Sequence, residues 1–94
     1  MKCCNNIENI GCFDSCTPNI TTGLTSDAIG IWKIEIDYMG ITKKIEIDIT
    51  APATITIPNN FNEDYEYIFR VYRPDGTLFN NTCYSFKTYK VVCN

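Results

Sequence analysis

Six of the 94 residues are cysteines, and four of them stand near the start of the chain at Cys3, Cys4, Cys12 and Cys16. Four thiolates can hold a tetrahedral zinc ion, and Cys12-x-x-x-Cys16 has the spacing of one half of such a site. Adjacent Cys3-Cys4 makes an awkward other half, because two to four intervening residues are what normally let a turn aim both sulfurs at one metal. The same sulfurs could instead enter disulfides or pack as small apolar groups. Cys83 and Cys93 lie on what reads as one strand, about 33 Å apart when extended. A disulfide needs Cα atoms within about 7 Å, so these two cannot bridge each other without a break in that strand. Each is then either a buried small hydrophobe or a partner for the N-terminal group, and the first is the commoner fate.

Other chemistry is thinly represented. The chain has no histidine, which removes the usual neutral-pH general base and the partner that activates a Ser or Cys nucleophile. Glu35, Asp37, Glu46 and Asp48 alternate with isoleucines, with Lys33, Lys43 and Lys44 nearby. They read as solvated cross-strand charge pairs rather than an acid and base couple. The expectation is therefore a non-enzyme. Asp75, between Arg73-Pro74 and Gly76, reads as a turn residue rather than a calcium ligand, and Asn62-Glu63-Asp64 is the better cation contact of the two. Asn19-Ile20-Thr21 and Asn80-Asn81-Thr82 fit the glycosylation acceptor pattern and at least mark polar loops. A net charge of -3, with eight Lys and Arg scattered along the chain, provides no basic stripe for a nucleic-acid backbone. No apolar run approaches the roughly 20 residues of a membrane span, and Met1-Lys2-Cys3-Cys4 leads into no secretory segment. Thiols expected to start out reduced, in a protein made in the cytosol, follow from that reading.

The elements that must position these groups are strands. Ile, Val, Thr, Phe, Tyr and Trp supply 40 of the 94 residues, against five for Ala and Leu together, and this composition favours sheet. Between Gly30 and Ile57 the chain alternates, so that Trp32, Ile34, Ile36 and Tyr38 share one face and Lys33, Glu35 and Asp37 the other. Gly30 to Tyr38 and Ile41 to Thr50 are predicted to pair through a Met39-Gly40 turn. Strands follow at Ala53 to Ile57, between two prolines, at Tyr65 to Tyr72, briefly at Thr77 to Phe79, and at Cys83 to Val92. Before residue 25 lies a polar stretch rich in Cys, Asn and Thr, punctuated by Gly11, Pro18 and Gly23. It reads as an irregular, Cys-rich N-terminal arm, residues 1–24, that could contribute a strand around Asn19 to Thr22, followed by a sandwich domain, residues 25–94. The expected class is all-β, an immunoglobulin-like antiparallel β-sandwich of six to seven strands. Its core should contain Trp32, Ile34, Ile36, Ile45, Ile47, Ile49, Ile55 and Ile57. From the fourth strand either Tyr65, Tyr67, Phe69 and Val71 or Ile68 and Tyr72 join them, and the odd set is favoured as the more apolar, since the even positions carry Glu66 and Arg70.

Several motifs together resemble a known group. The Cys3-Cys4-Asn5 opening, Gly11-Cys12-Phe13-Asp14-Ser15-Cys16, Gly30-Ile31-Trp32-Lys33-Ile34, the Tyr38-Met39-Gly40 turn, Ile55-Thr56-Ile57-Pro58 and Tyr72-Arg73-Pro74-Asp75-Gly76-Thr77 are similar to small proteins encoded in the virion gene blocks of crAss-like phages of gut Bacteroidales. That resemblance implies a structural virion protein, an auxiliary capsid (decoration) protein or a head-fibre attachment protein. It would be made in the host cytoplasm, reside in the virion and bind the major capsid protein or other virion proteins, with self-association on the lattice. Neither nucleic acid nor membrane is an expected partner, and no cofactor is expected apart from the zinc that Cys3, Cys4, Cys12 and Cys16 could hold. On this reading the arm is the tether, and Ile7, Ile10 and Phe13 are its apolar anchors to the partner. The alternative is an adhesin-like module that holds a host glycan or surface protein in its loops, for which Phe61 is the obvious loop aromatic.

Overall fold

A computed structural model describes residues 7–61 and 63–93 of the chain. Seven strands follow one another: β1 (Ile7–Asp14), β2 (Asn19–Thr25), β3 (Gly30–Tyr38), β4 (Ile41–Ile49), β5 (Thr54–Pro58), β6 (Tyr65–Tyr72) and β7 (Cys83–Tyr89), with a short 3-10 turn at Phe79–Asn81 before β7. They form a five-stranded sheet, β1-β7-β6-β3-β4, and a two-stranded sheet, β2-β5. All pairings are antiparallel except β1 with β7, which run parallel. The chain is thus an all-β sandwich with an immunoglobulin-like order, β2 and β5 in the places of strands B and E and β3, β6 and β7 in those of C, F and G.

The alternation fills the core much as expected. Trp32, Ile34, Ile36, Ile49, Ile55 and Ile57 are buried, as are Tyr67, Phe69 and Val71 of the odd set on β6, while Ile45, Ile47 and Tyr65 pack partly buried against them. Ile20, Tyr84 and Phe86 complete the layer. Trp32 closes one end, its ring centre 5.6 Å from that of Phe79 in an edge-on contact and its indole N–H donating to the Ala28 carbonyl at 3.0 Å. Met39 and Gly40 form a two-residue hairpin turn with φ of 48° and 81°. Both values lie in the left-handed region that a type I′ turn demands and that Gly takes without cost.

The departures concentrate near the chain's ends. Residues 7–14 form a strand of the sandwich rather than part of an irregular arm, and the strand expected around Asn19 to Thr22 runs over residues 19–25. β1 was illegible because its register shifts between Asn9 and Cys12, with Gly11 at φ 135°. Ile10 and Phe13 would face opposite ways on a regular strand, and this bulge turns both toward the core. The strand expected at Thr77 to Phe79 reduces to one bridge between Tyr72 and Leu78 before the 3-10 turn, in which Asn80 and Asn81 both take positive φ. β7 ends at Tyr89 rather than Val92. Beyond it the Val91 N–H donates to the Ser15 hydroxyl at 3.0 Å, and the chain folds back to a disulfide between Cys93 and Cys16.

Candidate functional site

The outer face of the five-stranded sheet carries a charged cluster that alternation alone does not reveal. The register sets Glu35 opposite Arg70, with Asp37 two pairs further along β3 and on the same face. Arg70 is only 3 % exposed. Its guanidinium donates to both oxygens of Asp37, at 2.8 and 3.1 Å, and to Glu35 at 3.3 and 3.4 Å. The Thr42 hydroxyl adds a bond to Asp37 at 2.9 Å. The Arg70 hydrogen bonds hold the Asp37 carboxyl below the usual carboxylate range, and Asp37 in turn pushes Arg70 further up. Both shifts run away from neutrality, so the cluster holds charge rather than exchanging protons near pH 7. Beside it opens a cleft of about 390 Å³ whose lining includes Lys33, Lys44, Glu46, Tyr72 and Arg73, a surface of mixed sign.

One end of the sandwich gathers the β2–β3 and β6–β7 connections. Arg73 donates to Asp27 through Nε at 3.0 and 3.1 Å and through Nη2 at 2.9 Å, with its guanidinium carbon 4.9 Å from the centre of the Phe79 ring. Gly30 lies so close to Pro74 that an added Cβ would meet the proline ring at 2.9 Å. Asp75 accepts from the Thr77 N–H and hydroxyl at 2.9 and 2.7 Å, as a turn residue does. Ile29 and Ile31 are exposed at this end.

The cysteines are used differently from a zinc group. Cys16 is bonded to Cys93, their Cα atoms 5.6 Å apart and within ordinary disulfide reach, and Cys83 is also disulfide-bonded. Cys12 is a free, exposed thiol opposite Lys87 in the sheet register. Cys3 and Cys4 lie outside the described residues, as does Asn62. A sulfur already in a disulfide has no thiolate to offer a metal, so the four-thiolate arrangement and this structure are exclusive uses of Cys16. The expectation of reduced thiols is corrected by the same bond. Among the described residues no three Cys, Asp or Glu side chains converge as a metal cage requires.

Of the three expected anchors, only Ile7 is well exposed, at 54 %. Ile10 and Phe13 pack against the core, Phe13 edge-on to Phe86 at 6.3 Å. Phe61 is buried against Tyr67, their ring centres 4.4 Å apart, and so is no loop aromatic for a ligand. Sequence reasoning missed Arg70 and the Asp27–Arg73 pair. The one available signal was Arg70 itself, the lone cation of its strand, at an outward position. Among the described residues no helix is long and apolar enough to cross a membrane. No protein-family model, curated protein or solved structure matches the chain. Its class rests on the strand order alone, an all-β sandwich of two sheets.

Proposed function

We propose that this is a non-enzymatic structural virion protein, an auxiliary capsid or head-fibre attachment component that docks on the major capsid protein or another virion protein. The observation that carries this reading is the covalent tie between Cys16 and Cys93, 77 residues apart in sequence, which fastens the C-terminal end of the chain to the β1–β2 turn. Such a bond persists once a protein has left a reducing cytosol, as a particle-borne protein does. The resemblance of the sequence motifs to those of crAss-like phage virion proteins points the same way. Mass spectrometry of purified particles tests it. Copies in proportion to the capsid lattice are the expected result, and absence from particles would overturn the proposal.

The adhesin-like alternative draws on one feature, the loop end held rigid by Asp27, Arg73 and Phe79 with Ile29 exposed beside it. A host glycan or surface protein would bind there. Few copies per particle, together with loss of host-cell binding by Ile29→Asp, would favour it over decoration.

A further inference from the structure

β4 is an edge strand of nine residues, and no strand among those described pairs with its far side. The two-residue turn after Tyr38 makes Tyr38 and Ile41 a hydrogen-bonded pair, and bonding then alternates along the hairpin. Lys43, Ile45, Ile47 and Ile49 therefore bond inward to β3. Thr42, Lys44, Glu46 and Asp48 direct their N–H and C=O groups to the open edge. Lysines on an edge commonly guard against pairing. Here, however, the cations fill the first half of the strand and the carboxylates the second, a pattern complementary to itself when reversed.

We infer that β4 is a self-association edge, on which two copies of this chain pair antiparallel about a two-fold axis at Ile45. In that register Lys44 of each copy faces Glu46 of the other, twice by symmetry, and Thr42 faces Asp48, all through the outward-bonding residues. On the inner face Ile45 meets its own counterpart and Ile41 meets Ile49. Sliding by two residues sets Lys44 against Lys44 or Glu46 against Glu46, and sliding by one breaks the hydrogen-bond pattern, so charge and backbone select one register. Apolar surface supplies the complementary motive. Ile41 is 61 % exposed, and Ile45 and Ile47 are only half-covered because the second sheet has two strands. This pairing stands whether or not the protein decorates a capsid.

Sedimentation equilibrium of the full chain should show a dimer that weakens as salt rises. Lys44→Glu and Glu46→Lys should each weaken it by about tenfold or more, since either creates two like-charge contacts. An equimolar mixture of the two variants should restore association, as each supplies the charge the other needs. Ile45→Cys in a Cys12→Ser background should form a covalent dimer under mild oxidation, whereas Ile47→Cys, facing Lys43, should not. This second arm reads the register even if a charge variant folds poorly. A wild-type protein monomeric at several hundred micromolar, or single variants that dimerise as well as wild type, or crosslinking at position 47 in preference to 45, would overturn the inference.

Discussion

β3 and β4 meet along a single unbroken register from Gly30 and Ile49 to Tyr38 and Ile41, around a turn of two residues. β1 instead joins β7, its partner from the far end of the chain, through a parallel pairing that slips at Gly11. The first region is built from neighbours whose side chains already alternate. The second depends on ties that only the folded chain brings together: the Cys16–Cys93 bond, and Asn59, whose amide donates to the Asp14 and Thr17 carbonyls at 3.1 and 2.7 Å. Regular alternation makes a body, and sparse long-range fastenings attach the edge to it.

The contrast can be broken most severely from the centre. Trp32→Ala should cost about 3–5 kcal/mol, the usual loss for truncating a fully buried aromatic, and should loosen both regions alike. Denaturant titration measures the loss. A change under about 1 kcal/mol would show that the alternating region is not what holds the whole together. Replacing Cys16 and Cys93 together by Ser should cost about 2–4 kcal/mol, and hydrogen exchange should rise over β1, the β1–β2 turn and the residues after Tyr89 while β3 and β6 stay protected. Equal loss of protection everywhere would erase the distinction.

A smaller effect sharpens the comparison within the body. The Arg70 hydrogen bonds lower the Asp37 carboxyl in the fold, whereas in the unfolded chain it titrates near about 3.9. Its stabilisation is therefore complete above about pH 4 and is lost as pH falls through the lower folded value. Asp37→Asn should melt lower at neutral pH, by about 1–2 kcal/mol, and show a shallower decline below about pH 4 than wild type. Parallel acid limbs would mean that Asp37 draws nothing from Arg70.

The alternating region was legible because each residue there carries its own face. Trp32, Ile34 and Ile36 announce a core without reference to any partner. Ile10 and Phe13 could not, since their common face exists only through a bulge, and bulges depend on the strand opposite. Arg70 was legible as a cation but not as a buried one, because the carboxylates that pair with it, Glu35 and Asp37, lie on a strand 33 to 35 residues away in sequence. The cysteine pairing was hidden for the same reason. Spacing excludes a bond between Cys83 and Cys93 on one strand, but it cannot say that the strand stops at Tyr89 and swings Cys93 onto Cys16.

That swing decides how the molecule would carry tension. β1 begins at one end of the sandwich, and Cys93 lies at the other, beside the β1–β2 turn. A pull applied between residue 7 and residue 93 passes along β1 to Cys16 and across the sulfur bridge, so β2 to β6 lie outside the load path. Stretching could strip β1 from β7, but it could not unravel β2 to β6 while the bridge is intact. Under strain between those two points the protein would behave as a short link with a folded body hung upon it.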